Sequence, residues 1–170
     1  MKKILINLSL LTSIILMASS CHTVAPSYNY KKLAKAAIKL NMDIDMTDNH
    51  KLYFEVADWI GVPYRYGGTN KRGVDCSGFS SSIYKKVYKT KIGRTTDDQQ
   101  KTSRKVNKQE LKEGDLVFFS NKRLSKKPTH VGIYLKDNKF VHASSSKGVM
   151  INNLKEDYYR RYWLEGGRIR

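Results

Sequence analysis

His130-Val131-Gly132-Ile133-Tyr134-Leu135-Lys136-Asp137-Asn138-Lys139-Phe140-Val141-His142-Ala143-Ser144 reads as two β-strands, 130–136 and 139–144, joined at the turn signal Asp137-Asn138. Residues 115–120, 149–154 and 164–169 have the same character, mostly rich in Val, Ile, Leu, Phe and Tyr. Further turn signals at Asn121, Lys147-Gly148 and Gly166-Gly167 punctuate or interrupt them. Upstream of Gly114 the period is helical. One helix is expected over 49–60, with Leu52, Val56, Trp59 and Ile60 as its buried stripe, capped by Asp48 or Asn49 and ended by Gly61 and Pro63. A second is expected over 76–88, with Phe79, Ile83 and Val87 facing inward. Thr95 or Thr96 caps a third, short one through Asp97, Asp98 and Gln99, whose carboxylates suit the positive helix end. Helices first and consecutive strands afterwards predict an α+β domain over 49–170 with a meandering antiparallel sheet. The 170 residues have room for one such domain, and a 40% hydrophobic content supplies a core without disulfides.

The N-terminus reads as a targeting signal. Lys2 and Lys3 precede an apolar run over 4–17 that is short for a bilayer span, followed by the small residues Ala18, Ser19 and Ser20 and then Cys21. One reading is a retained anchor or a secretory leader cut elsewhere. The other is a lipobox, since Met17-Ala18-Ser19-Ser20-Cys21 resembles that of bacterial lipoproteins, in which the cysteine carries lipid and becomes the mature N-terminus. On this second reading 1–20 is a signal peptide and 21–48 a lipid-anchored tether. Within the tether, Leu33, Ala37 and Leu40 are spaced for a short helix over 30–40. The formal charge is +17, from 32 basic and 15 acidic residues, and +15 once Lys2 and Lys3 leave with the signal. Such a balance favours wall polymers, lipid headgroups or nucleic acid. Export argues against nucleic acid, and the basic residues are spread along the chain, so most of them form a solvated surface.

Only two cysteines exist, Cys21 and Cys76. With Cys21 lipidated, Cys76 is a lone thiol in an oxidising compartment, where catalysis is the usual reason to keep one. It opens a helix after a loop containing Gly67, Gly68 and Gly73, so unpaired N–H groups and the helix dipole are expected to lower its pKa. A buried structural cysteine is the competing reading, but Asp75, Ser77 and Gly78 make a poor apolar setting. A nucleophilic thiol needs a base. Of the four histidines, His22 follows the anchor and His50 opens a helix as a polar surface residue. His130 and His142 are either satisfied core residues or a base with its orienting partner. A plain two-residue turn at Asp137-Asn138 pairs 136 with 139, so that paired numbers sum to 275 and His130 and His142 point to opposite faces. Cooperation of the two rings therefore predicts an odd-length loop or a bulge. No His-Glu-x-x-His or His-x-His element is present, and neither a metal nor another cofactor is expected.

The segments Tyr64-Arg65-Tyr66-Gly67-Gly68, Asp75-Cys76-Ser77-Gly78-Phe79, Gly114-Asp115-Leu116-Val117-Phe118-Phe119, His130-Val131-Gly132-Ile133-Tyr134 and Phe140-Val141-His142-Ala143 resemble the NlpC/P60 family of papain-like peptidases, especially its lipoprotein murein endopeptidases. The resemblance covers about residues 50–170. It implies a papain-like fold in which N-terminal helices, with the nucleophile at a helix N-terminus, pack on a five- to six-stranded antiparallel sheet. It also implies Cys76 as nucleophile, His130 as general base and His142 as the third member. Tyr64 then helps the Cys76 N–H to hold the oxyanion, Asp75 and Ser77 shape substrate subsites, and Arg94 and Thr95 belong to a recurrent element after the cysteine helix. The implied reaction is hydrolysis of an amide in peptidoglycan peptides through an acyl-enzyme, at the D-Ala–diaminopimelate cross-link. Family relatives leave open the γ-D-glutamyl–diaminopimelate bond, or an amidase or acyltransferase reaction. The expected protein is a monomer that binds no nucleic acid and is held to the membrane by lipid on Cys21. With His22 rather than aspartate after that cysteine, the outer membrane facing the periplasm is implied in a Gram-negative cell.

Overall fold

A computed structural model describes residues 29–122 and 125–169. The expected signal peptide, Cys21 and His22 lie outside the described residues. Helix α1 (Tyr30–Leu40) is capped by Asn29, and its inner face contributes Ala36 and Leu40 to the main core. Helix α2 (His50–Trp59) is capped by Asn49, whose Oδ1 accepts the Leu52 N–H at 3.2 Å. It buries Leu52, Tyr53, Val56, Ala57 and Trp59, and Gly61 ends it at a φ of 87° that favours glycine. A two-residue ribbon, β1 (Thr69–Asn70) with β2 (Gly73–Val74), leads into α3 (Cys76–Ile83). The last turn expected of that helix is present but widens to π-helical pairing over Tyr84–Tyr88, where the Tyr84 hydroxyl reaches the Gly114 carbonyl at 2.6 Å. Helix α4 (Thr96–Thr102) follows, with Thr95 and Asp98 forming a capping box.

Six strands form one antiparallel sheet in the order β3–β8–β4–β5–β6–β7. They are β3 (Arg104–Val106), β4 (Leu116–Phe119), β5 (His130–Tyr134), β6 (Lys139–Ser144), β7 (Gly148–Asn153) and β8 (Trp163–Arg168). Strand β3 had no counterpart among the runs read from the sequence. Its three residues are too few to show a period, and it exists through pairing with residues 166–168 of β8. Gly167 is fixed by close approach, since a Cβ there would lie 2.3 Å from Ser103 Oγ and 2.7 Å from the Phe118 ring. One face of the sheet carries Leu116, Phe118, Val131, Ile133, Val141 and Ala143 against the helices. The opposite face carries Val117, Phe119 and Phe140, with Leu154, Tyr159 and Trp163 packed around them. Helix α5 (Asp157–Tyr162), unread in the sequence because none of its residues is fully buried, brings Tyr159 to this second cluster.

The β5–β6 hairpin has the irregularity that the histidines require. Asp137 and Asn138 adopt φ of 53° and 61°, and the Lys139 N–H donates to the Lys136 carbonyl at 2.8 Å, closing a two-residue turn. The Leu135 N–H also donates to the Lys139 carbonyl, at 2.9 Å, so Lys139 faces both Leu135 and Lys136. This one-residue bulge shifts the register to Gly132↔His142 and Tyr134↔Phe140, with paired numbers summing to 274. His130 and His142 thus become diagonal neighbours on one face.

Candidate active site

Cys76 is held in place by its neighbours' polar groups. Asp75 caps α3, its Oδ1 accepting the Gly78 N–H at 2.6 Å and its Oδ2 the Gly67 N–H at 2.9 Å. Arg94 closes on the same carboxylate with both arms, at 3.0 and 2.7 Å, and donates to the Ser77 hydroxyl at 3.0 Å. Burial alone would raise the Asp75 carboxyl, but Arg94 and the two N–H groups outweigh it and hold the group below the usual carboxylate range. Beneath this latch the buried amide of Gln99 donates to the Ser77 and Gly93 carbonyls at 2.9 and 2.8 Å and accepts from the Ser80 hydroxyl at 2.7 Å. These bonds fasten α4 to α3, and Thr96 brings its hydroxyl to 3.8 Å from the Cys76 sulfur.

The thiol is 8% exposed, in the floor of a cleft. Burial pushes its pKa up, and the Thr96 hydroxyl and the Val131 and Ser77 N–H groups offset this only in part. The depressed value expected from the helix end is therefore corrected: loss of water around the sulfur outweighs the amide groups that face it.

Across the cleft, His130 Nε2 lies 2.8 Å from His142 Nδ1, with the two rings nearly perpendicular. His142 Nε2 in turn lies 2.8 Å from Asn152 Oδ1 and 3.0 Å from the Tyr159 hydroxyl. The Asn152 Nδ2 donates to both Glu156 carboxylate oxygens, at 3.1 and 2.8 Å. Phe140 stacks on His142 with centroids 5.1 Å apart, Phe119 lies 6.2 Å from the His130 ring, and Tyr159 packs edge-on to both phenyl rings. This apolar wall strips water from the imidazoles. Burial, then the neighbouring His142, pulls His130 down to about 3, and burial also lowers His142. Both rings are accordingly neutral at pH 7.

Tyr64 is fixed beside Cys76 because the Val74 N–H donates to the Pro63 carbonyl and the Arg65 N–H to the Val74 carbonyl, each at 3.1 Å. Tyr64, Cys76 and Thr129 belong to both lobes of the cleft. One lobe, of about 430 Å³, runs past His130 and His142 to Ser144, Ser146 and Tyr158. The other, of about 470 Å³, runs past Asp75, Ser77, Arg94 and Thr95 to the exposed Tyr66. Cys76, His130, His142 and Tyr64 all line the first lobe. Asp75, Ser77, Arg94 and Thr95 line the second lobe, but the polar atoms of Asp75 and Ser77 are taken by the helix cap and Arg94, while Thr95 caps α4. Sequence reasoning missed Thr96, Asn152, Glu156 and Tyr159 as members of the site. Asn152 had a signal: it lies two residues beyond Met150, the partner of His142, and so shares a face with that ring. Among the described residues no group of three or more His, Cys, Asp or Glu side chains is placed to hold a metal ion.

A cysteine at the N-terminus of a helix packed on an antiparallel sheet that carries a histidine pair is the architecture of papain-like cysteine peptidase domains. The chain belongs to the NlpC/P60 family, whose sequence profile matches residues 61–168. It is 35% identical to the probable endopeptidase NlpC of Escherichia coli over 94% of this chain and 97% of that protein. It is 41% identical over 115 residues to murein DD-endopeptidase MepS/murein LD-carboxypeptidase of the same organism, spanning 68% of this chain and 60% of the relative's length. An NlpC/P60 family protein from Bacillus cereus superposes with a TM-score of 0.66 at 30% identity, over 74% of this chain and 41% of the other.

Proposed function

We propose that the protein is a peptidoglycan endopeptidase with Cys76 as nucleophile, His130 as base and His142 as the third member of the triad. The supporting observation is that the Cys76 thiol and the hydrogen-bonded His130–His142 pair line one open cleft. Because thiol and imidazole are both neutral at rest, the proton passes from Cys76 to His130 as the sulfur attacks the amide carbon. The Nε2 of His130 is engaged with His142, which leaves Nδ1 to receive that proton. The Tyr64 hydroxyl and the Cys76 N–H hold the oxyanion. His130 then protonates the leaving amine as the C–N bond breaks, and a thioester remains. Water, deprotonated by His130, attacks the thioester, releasing the new carboxylate and restoring the thiol. The murein DD-endopeptidase relative favours the D-Ala–diaminopimelate cross-link as the bond cut.

Lipid on Cys21 would hold the enzyme to the envelope as a monomer, at the outer membrane facing the periplasm in a Gram-negative cell. Among the described residues no helix is long and apolar enough to cross a membrane. Radiolabelled palmitate should enter the wild type and not Cys21→Ser.

Purified sacculi incubated with the wild type should release fragments that Cys76→Ala does not, and their masses should carry a cut at the cross-link. Equal release by both proteins, or by neither, would overturn the peptidase reading. Fragments cut between D-glutamate and diaminopimelate would reassign the bond and keep the chemistry.

A further inference from the structure

Two imidazoles 2.8 Å apart share one proton, and which ring donates determines what His130 can do. If the proton sits on His130 Nε2, Nδ1 keeps its lone pair and can accept the thiol proton. If His142 donates through Nδ1 instead, neutral His130 carries its proton on Nδ1 and cannot act as a base there. Nothing in the histidine pair itself selects between these states, because each ring can donate or accept.

The selection comes from outside the pair. His142 Nε2 faces Asn152 Oδ1, and the Asn152 Nδ2 faces the Glu156 carboxylate. An amide could be turned over, but the carboxylate accepts and never donates. Turning Asn152 would put its oxygen against two carboxylate oxygens at distances of 3.1 and 2.8 Å with no proton between them. Glu156 is itself fixed, since its Oε1 accepts the Asn153 N–H at 2.7 Å and its own N–H donates to the Asn153 carbonyl at 3.0 Å. With the amide oxygen aimed at His142, Nε2 of that ring must carry a proton, so its Nδ1 must accept from His130. Tyr159 is indifferent, because its hydroxyl can accept from His142 Nε2–H while donating to Asn152 Oδ1 at 3.3 Å, or donate to a bare Nε2.

We propose that Glu156, acting through Asn152, is a positioning residue that fixes both histidines in the Nε2–H tautomer and thereby leaves His130 Nδ1 free to take the Cys76 proton. The role assigned to Nδ1 rests on the peptidase reading, whereas the tautomers themselves do not. Each bond in the series then points the same way, from His130 through His142 and Asn152 to the Glu156 carboxylate. Glu156 touches no reacting atom; it removes the one degenerate choice in the site.

Side-chain ¹⁵N NMR of the wild type at pH 7 should place the proton on Nε2 of both His130 and His142. A proton on Nδ1 of either ring overturns the assignment without any variant. In Glu156→Lys the ammonium should donate to Asn152 Oδ1, turn the amide, and move both rings to Nδ1–H. Release of fragments from sacculi should then fall by at least about 100-fold, in line with the cost of holding a catalytic imidazole in the wrong tautomer. Glu156→Gln, whose carbonyl can still accept, should keep the wild-type tautomers. Adding Asn152→Asp to Glu156→Lys should restore both the Nε2 protons and the activity, because the introduced carboxylate can only accept from the ring. Retention of Nε2–H in Glu156→Lys, or a double variant with the rings still on Nδ1–H, overturns the proposal. A wild type with the assigned tautomers that releases nothing from sacculi instead defeats the peptidase reading alone.

Discussion

On the helix side of the cleft, position is set by charge: Asp75 receives two backbone N–H groups and both arms of Arg94, and Gln99 fastens the next helix beneath them. On the sheet side it is set by aromatic walls, with Phe119, Phe140 and Tyr159 around two neutral rings and one polar exit through Asn152. The first arrangement tolerates water at its rim, since the Arg94 side chain is 44% exposed. The second depends on keeping water out. The two halves of one reaction centre should therefore fail under different perturbations.

Of two changes that each attack one side of the cleft, Gly132→Ala should be the more damaging. Gly132 lies directly opposite His142, and a Cβ there would sit 2.6 Å from the Phe140 ring and 2.9 Å from the Val141 carbonyl oxygen. Overpacking of this kind costs about 1–3 kcal/mol, and displacing His142 by about 1 Å should lower turnover by about 100-fold. Sacculus digestion and urea melts would measure both. Arg94→Ala attacks the other side. It leaves the buried Asp75 carboxylate without its cation and should cost about 1–2 kcal/mol, the lower part of the range for a charged hydrogen bond because water screens the guanidinium. Turnover should fall by less than in Gly132→Ala.

Acid should separate the sides more finely. Burial lowers His130 to about 3 and lowers His142 as well, so below the ordinary histidine value of 6.5 and above these folded values the unfolded chain binds more protons. The stability these groups contribute is present above pH 6.5 and is lost as pH falls through that window. Asp75, lowered from 3.8, contributes stability that is lost only at more acid pH. Urea midpoints at pH 7 and 4.5 should thus drop in the wild type and drop less in a His130→Gln, His142→Gln double variant. The mildest probe is chemical: alkylation of Cys76 by iodoacetamide should keep accelerating above pH 9, because burial holds the thiol above that value. A plateau near neutrality would indicate an ion pair at rest.

How much of this was legible in the sequence differs between the sides for physical reasons. The cysteine helix shows its preceding glycines and its apolar stripe within a short stretch, and the local rules that place them are strong. The parity of the hairpin was legible too, because two rings that cooperate must share a face. The direction of the thiol pKa was not, since a helix end can be read locally whereas desolvation depends on what packs over it from elsewhere in the chain. Strand β3 and helix α5 are short and largely polar, and each is held by residues distant in sequence. Glu156 and Tyr159 were hidden for the same reason: they lie fourteen and seventeen residues beyond His142, in a turn and a helix with no periodic signature.

The bulge beside Lys139 bears on how the gene can change. What keeps both imidazoles on one side is the odd count of positions between Leu135 and Lys139, and the chemical identity of those positions matters less. Loss or gain of one codon at that tip would turn one ring toward the helices while leaving every active-site residue in the reading frame. Gain of two codons would lengthen the loop and preserve the pairing. Inherited length variation there should therefore come in steps of two.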